Sequence, residues 1–140
     1  MAATKYFYAK WRRKQTTAVV KLFPKWEWKF SLSKAWGSTV DLLSHFGGNQ
    51  YLLNTALYPF AVLWNDLFAQ FNADIKVVWW WLMGQADAIK LWLVRALILC
   101  NAEYKTMLKA HDLLKRDPRI KERKKPGLKK ARKAPKRSKR

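Results

Sequence analysis

The sequence contains 140 residues, half of them apolar, which suits one domain with a hydrophobic core and an extension. Cys100 is the single cysteine, so an internal disulfide is excluded. The formal net charge of +20, from 29 Lys and Arg against 9 Asp and Glu, indicates a polyanionic partner, either a nucleic acid or an anionic membrane.

The charge is concentrated at the C-terminal end. Residues 115–140 hold 15 of the 29 basic residues and 2 of the 9 acidic ones, with Ile120 and Leu128 as their large apolar side chains. Such a segment buries too little surface to offset its own ordering entropy. We therefore predict a globular body over residues 1–114 and a separate tail over residues 115–140.

The first predicted elements are strands. Thr16–Phe23 is rich in β-branched and aromatic residues, which is typical of a strand. Trp28–Ser33 alternates in character, and Pro24 and Lys25 supply turn residues between the two segments. This pattern predicts that Thr16–Phe23 and Trp28–Ser33 form an antiparallel hairpin.

Helical signals follow in the middle of the chain. Ser38 and Asp41 suggest a capping box and predict a short helix through Phe46, which the two following glycines would end. The stretch Tyr51–Phe71 is ambiguous, and we expect helix on both sides of Pro59.

The sequence of the second half of the body predicts a strand and two helices. Asp74–Trp80 has the apolar character of a buried strand. Gly84–Cys100 is apolar nearly all round, so we expect a helix that is covered on both faces. Glu103–Leu114 is amphipathic and predicts a second helix, ended by Asp117 because a residue before proline is pushed out of the helical region. Strands early and in the middle, with helices late, indicate an α+β fold.

Catalytic and metal-binding patterns are absent from the sequence. The two histidines, His45 and His111, form no usual zinc-binding spacing with Cys100. The acidic residues are dispersed, and there is no glycine-rich phosphate loop. We therefore predict a protein that is not an enzyme and uses no metal, cofactor or small-molecule substrate.

Two apolar stretches raise the question of a membrane. Leu42–Asn65 is free of charges but contains many polar residues, and Val77–Cys100 contains three charged ones. Neither satisfies the roughly 20 mostly apolar residues of a bilayer span. The basic tail has no apolar face to insert into a membrane surface. We expect no membrane association.

Two basic features are candidate binding sites. Lys10 and the cluster Arg12-Arg13-Lys14 lie just before the first predicted strand, as either a solvated strand end or a phosphate clamp, and we favour the clamp. In the tail, Pro126 and Pro135 discourage one long helix. An extended tail of this length spans up to about 85 Å and is able to thread between nucleic-acid helices. Because these features fit RNA or DNA, a nucleoid or histone-like protein remains an alternative.

Several segments of the chain, in order, match a known family. They are Arg12-Arg13-Lys14 before a Thr-rich strand, Gly84–Lys90 (GQADAIK), Arg95-Ala96-Leu97, and the tail with Gly127–Arg132 (GLKKAR) and a closing Ser-Lys-Arg. The chain therefore resembles the S-nine family of bacterial-type small-subunit ribosomal proteins along nearly its whole length. The amino-acid sequence of the tail is most similar to those of plastid and cyanobacterial members. The resemblance therefore implies a plastid ribosome, with bacterial cytoplasm or mitochondrial matrix as alternatives.

The resemblance also implies a fold and a set of contacts. The fold is a two-layer, ribosomal S-five-domain-2-like body with a long extended basic tail. The partners are the 3′ domain of small-subunit ribosomal RNA (rRNA), neighbouring proteins of the subunit head, and the anticodon stem-loop of P-site tRNA. The implied tRNA contacts are Ser138, Lys139 and Arg140. The implied rRNA contacts are Lys10, Arg12, Arg13, Lys14, Gln85, Lys90, Arg116, Arg119, Lys121, Arg123, Lys124, Lys125, Lys129, Lys130, Arg132, Lys133, Lys136 and Arg137.

The chain departs from the family pattern at its tryptophans. Trp79-Trp80-Trp81 stand where the family has a glycine run, and Trp92 lies inside the predicted helix. Three hypotheses remain open. The rings stack on RNA bases in remodelled loops, they are core aromatics, or the residues derive from glycine codons, one of which differs from the tryptophan codon by one base. A second departure is Lys136-Arg137, where the family has Gln-Phe.

Overall fold

The computed structural model describes residues 6–24, 30–34, 39–63, 70–78 and 81–136, with the backbone alone at Trp11 and Lys34. Five strands and four helices are formed in this part of the chain. In chain order they are β1 (Phe7–Arg13), β2 (Thr16–Pro24), β3 (Phe30–Lys34), β4 (Thr39–Asp41), α1 (Leu42–His45), α2 (Gln50–Leu63), β5 (Phe71–Val78), α3 (Leu82–Cys100) and α4 (Tyr104–Ala110). The predicted α+β class is confirmed, and the arrangement is consistent with an S-five-domain-2-like body.

The strands form one mixed sheet in the order β1-β2-β5-β3-β4. All neighbours are antiparallel except β5 and β3, which are parallel. Arg13 pairs with Thr16, so Lys14 and Gln15 alone connect β1 to β2. Lys14 has φ of 52°, the left-handed conformation that tight hairpin turns require.

The predicted pairing of the early strands is wrong. β2 does not pair with the segment Trp28–Ser33, since β5 lies between β2 and β3. The hairpin partner of β2 is β1, a strand that the sequence analysis did not predict. Strand β3 covers Phe30–Lys34, and Trp28 itself lies outside the described residues.

One face of the sheet is covered and the other is open. Every second residue of β5 is buried, from Phe71 to Val77, while the residues between them are exposed or half-buried. Strand β2 shows the same alternation. Apolar residues on one face and polar ones on the other are typical of a sheet that is solvated on one side.

Helix α3 is the centre of the helical layer. It packs on β1 and β2, and α2 packs against it in turn. Eleven of its 19 residues are buried, including Trp92 at 0% exposure. This confirms the prediction of a helix over Gly84–Cys100 that is covered on both faces.

Other helix boundaries differ from the predictions. Asp41 is itself the N-cap of α1, with its carboxylate accepting from Leu43 N at 3.3 Å, and Ser38 lies outside the described residues. Helix α2 covers Gln50–Leu63 and so lies on both sides of Pro59, as predicted, whereas Phe71, at the end of the predicted stretch, begins β5. Helix α4 ends at Ala110, before the predicted end, because Asp112 adopts a left-handed conformation with φ of 54°.

Candidate nucleic-acid interface

Arg13, at the end of β1, is joined to the start of the predicted tail. Its Nη2 donates to Asp117 Oδ2 at 2.6 Å, and its Nη1 donates to the backbone carbonyls of Asp117 and Arg119 at 3.2 and 2.8 Å. Asp87 on α3 adds a carboxylate 3.8 Å from Arg13 Nε. The Arg13 side chain is 11% exposed, so its charge is neutralised by carboxylates within the protein.

Asp117 completes this contact from the tail. Its Oδ1 accepts from the backbone N–H of Arg119 at 2.8 Å and from Arg119 Nε at 3.1 Å. These bonds, together with the charges of Arg119 and Arg13, lower the pKa of Asp117 to about 2. Arg116 Nε also donates to the carbonyl of Arg12 at 3.3 Å. The tail therefore leaves the body beside the β1–β2 hairpin.

The neighbours of Arg13 have the opposite orientation. Strand β1 alternates, so Lys10 and Arg12 are exposed, as is Lys14 in the turn. Of the predicted phosphate clamp, these three cations are available to a polyanion, whereas Arg13 is engaged with the tail.

The open face of the sheet carries further cations that the sequence analysis missed. Val19 on β2 lies opposite Lys10 on β1 and opposite Lys76 on β5, so the two lysines stand in one row across the sheet. Lys21 on β2 lies opposite Asp74 on β5. Asp74 accepts from Ser31 Oγ at 2.6 Å. The signal that identifies Lys21 and Lys76 is the strand alternation, since both stand between buried residues.

Residues 115–136 contain no helix or strand, and their cations are exposed. A local turn is held by Glu122, whose carboxylate contacts Lys125 Nζ at 3.2 Å and Arg132 Nε at 2.8 Å. Gly127 has φ of 79°, within this turn. An extended path for the whole tail therefore stays a prediction. Arg137, Ser138, Lys139 and Arg140 lie outside the described residues.

The predicted contacts on α3 are engaged within the protein. Gln85 is 3% exposed, and its Oε1 accepts from Nε2 of His45 at 2.5 Å. Lys90 is half-buried, with Nζ 3.4 Å from Oδ1 of Asp87. Neither side chain is presented as openly as those of the hairpin and the tail.

The two tryptophans whose side chains the structure describes lie in different environments. Trp92 is a core residue, and its Nε1–H donates to the carbonyl of Ala9 on β1. Trp81 is 60% exposed at the start of α3. The core hypothesis is thus correct for Trp92 and does not describe Trp81, while Trp79 and Trp80 lie outside the described residues.

The described residues hold no cluster of His, Cys, Asp or Glu suited to a metal ion. Cys100 is half-buried, and burial raises the pKa of its thiol, which disfavours the reactive thiolate. Within the same residues, none of the helices has the length and apolar character needed to cross a membrane.

The sheet, its helical layer and the exposed cations of hairpin and tail define a small, strongly basic α+β protein. The family model described as ribosomal protein S9/S16 matches residues 11–140. The chain belongs to this family of ribosomal proteins. Its members are structural rather than catalytic, which confirms the prediction that the chain is not an enzyme.

Individual relatives are similar over most of the chain. The small ribosomal subunit protein uS9c of Pyropia yezoensis is 42% identical over 135 residues, covering 92% of this chain and 88% of the relative. The protein of the same name in Tupiella akineta is 41% identical over 133 residues, covering 92% and 86%. The small ribosomal subunit protein uS9 of Mycoplasmopsis synoviae is 47% identical over 88 residues, covering 63% and 66%.

Proposed function

We propose that the protein binds the 3′ domain of small-subunit rRNA in the head of a plastid ribosome. It is a structural constituent of the small subunit, and its similarity to uS9c proteins supports the plastid location. The observation that carries the rRNA contact is the run of exposed cations from Lys10, Arg12 and Lys14 into the neighbouring tail. A phosphate backbone is the polyanion that such a surface neutralises.

The chain acts as two parts in this proposal. Residues 1–114 form the body that sits against rRNA and neighbouring head proteins. Residues 115–140 form a tail that orders among RNA helices as it binds them. The contact between Arg13 and Asp117 supports this division, because it fixes where the tail departs from the body.

The tip of the tail is assigned to P-site tRNA. Ser138, Lys139 and Arg140 contact the anticodon stem-loop, and the cations before them contact rRNA. The family resemblance supports this assignment. The pair Lys136-Arg137 adds charge where the family has Gln-Phe, which strengthens phosphate binding near the tip.

A reconstitution experiment tests both the binding to the small subunit and the tRNA contact of the tail tip. Small subunits are assembled with the full chain or with a chain lacking Ser138–Arg140. Both chains are expected to co-sediment with subunits at high salt, and the truncated one to weaken P-site tRNA binding. Unchanged tRNA affinity removes the role of the tip. A full chain that fails to co-sediment and binds duplex DNA as tightly as structured RNA supports a nucleoid protein instead.

A further inference from the structure

A cleft of about 580 Å³ lies between the hairpin turn, the first turn of α3 and the root of the tail. Its walls combine two kinds of side chain: the cations Arg12, Lys14 and Lys121, and the apolar groups Trp81, Met83 and Ile120. The volume is within the roughly 300–1,000 Å³ of small-ligand pockets. None of the described residues that line it is acidic.

The apolar groups of this cleft are unusually open to solvent. Trp81 is 60% exposed, Met83 45% and Ile120 67%. Large apolar side chains that cluster on a surface indicate a binding site. The three neighbouring cations make this site unsuited to an uncharged apolar partner and complementary to a ligand that is both aromatic and anionic.

Thr16 and Gly84, which line the cleft, are closely packed against one another. Thr16 is 1% exposed. A Cβ added to Gly84 would lie 2.8 Å from Thr16 Oγ1. The start of α3 is therefore packed directly against the start of β2. This packing sets Trp81, at the N-cap position of α3, beside the hairpin cations that line the same cleft. The positive end of the helix dipole at the same place favours an anion.

We infer that this cleft receives one unstacked base of a single-stranded RNA segment. The base stacks on the ring of Trp81, with Met83 and Ile120 at its edges, and Arg12, Lys14 and Lys121 contact the flanking phosphates. Stacking of bases on aromatic side chains is tolerant of sequence, because every base has a π-face. The inference rests on the proposed RNA-binding function and adds a preference for an unpaired nucleotide.

The test compares two RNA probes on the full-length chain at one salt concentration. One is a short single-stranded RNA, and the other is an RNA duplex with the same number of phosphates. Trp81→Ala is expected to weaken single-strand binding by about 5- to 150-fold and leave duplex binding unchanged. Trp81→Phe keeps a ring in place and is expected to recover most of the affinity.

Tyr51→Ala is the matched control, because Tyr51 is 66% exposed on α2, outside the cleft. It is expected to bind both probes like wild type. Circular dichroism verifies that each variant is folded. If Trp81→Ala retains wild-type single-strand affinity, or loses single-strand and duplex affinity equally, the base-binding inference is overturned while RNA binding stands. A wild-type chain that binds neither probe overturns the proposed function as well.

Discussion

Arg13 Nη2 lies 2.6 Å from Asp117 Oδ2, which joins two residues 104 positions apart in the sequence. The contact connects the end of the first strand to the segment that precedes the basic tail. Arg116 Nε donates to the Arg12 carbonyl beside it, so the body and the tail contact one another at more than one residue here. Arg13 itself is largely buried, while the cations on either side of it are exposed.

Replacing this carboxylate by an amide is expected to loosen the root of the tail. In Asp117→Asn the charge that faces Arg13 and Arg119 is lost, although Arg13 keeps carbonyl acceptors and the more distant Asp87. Arg119 N–H donates to Asp117 Oδ1 at 2.8 Å, so we expect amide hydrogen exchange at Arg119 to become several-fold faster, with exchange in α3 unchanged. Glu122→Gln is the matched control, since Glu122 contacts Lys125 and Arg132 instead of Arg13. Equal exchange in both variants would contradict the assignment.

The carboxyl group of Asp117 has a defined response to pH. The side-chain and backbone bonds from Arg119 lower the pKa of Asp117 from 3.8 to about 2. A carboxylate with a lowered folded-state pKa stabilises the folded contact fully above its unfolded value. The contribution of Asp117 is therefore complete above about pH 4 and is lost as the pH falls through about 2. Carboxyl NMR titration of the full chain measures this value, and a midpoint near 4 would refute the bonds from Arg119 to Asp117.

The packing of α3 against β2 gives a stability prediction. The Cβ of a Gly84→Ala variant meets Thr16 Oγ1 at 2.8 Å, and Thr16 is buried. Overpacking of this kind costs about 1–3 kcal/mol, which exceeds the gain in helix propensity near a helix start. Urea unfolding measures the loss.

A double variant shows whether the stability loss of Gly84→Ala comes from the close contact with Thr16. Thr16→Ala removes the oxygen that the new methyl group meets, so Gly84→Ala is expected to cost less in that background. If the two losses simply add, the close contact is not the reason for the glycine. Thr16→Ala alone is the reference, because it measures the cost of losing that oxygen in a chain that keeps the glycine.

The exposed turn cation gives a prediction on salt dependence. Lys14 is exposed at the hairpin tip, whereas Lys90 pairs with Asp87. Lys14→Ala is expected to reduce the slope of log affinity against log salt by about 0.7–0.9 for a small-subunit rRNA fragment, because one phosphate contact is lost. Lys90→Ala is expected to change the slope less. Indistinguishable slopes for the two variants would remove Lys14 from the interface.

The elements that the sequence predicts well are those with a single strong apolar pattern. Helix α3 is apolar on nearly all sides and was predicted within two residues of its start, and β2 has the β-branched composition of a half-buried strand. Strand β1 was not predicted because its exposed positions are basic or aromatic, and the alternation of apolar and polar residues is therefore not evident in its sequence. The parallel pairing of β3 with β5 depends on contacts between distant segments, which local composition does not reveal.

The candidate site was predictable in kind but not residue by residue. Composition identifies a basic protein with a basic tail, and the family pattern identifies Arg12-Arg13-Lys14. Only the alternation of β1 shows that Arg13 points away from its two neighbours. The family resemblance implies an rRNA contact at Gln85, whereas its side chain is buried beside His45. The burial of a polar residue depends on its partner across the fold, which is 40 positions away.

The position of β5 between β2 and β3 determines the order in which this chain is able to fold as it is synthesised. Until Phe71–Val78 has been made, β2 and β3 have no partner on their facing edges, and the two parts of the sheet remain unconnected. Unpaired edges of this kind attract other chains, and pairing between distant segments slows folding. The sheet thus closes only after Phe71–Val78 has left the ribosomal exit tunnel. The contact between Arg13 and Asp117 forms later still, when the first strand meets one of the last segments to appear.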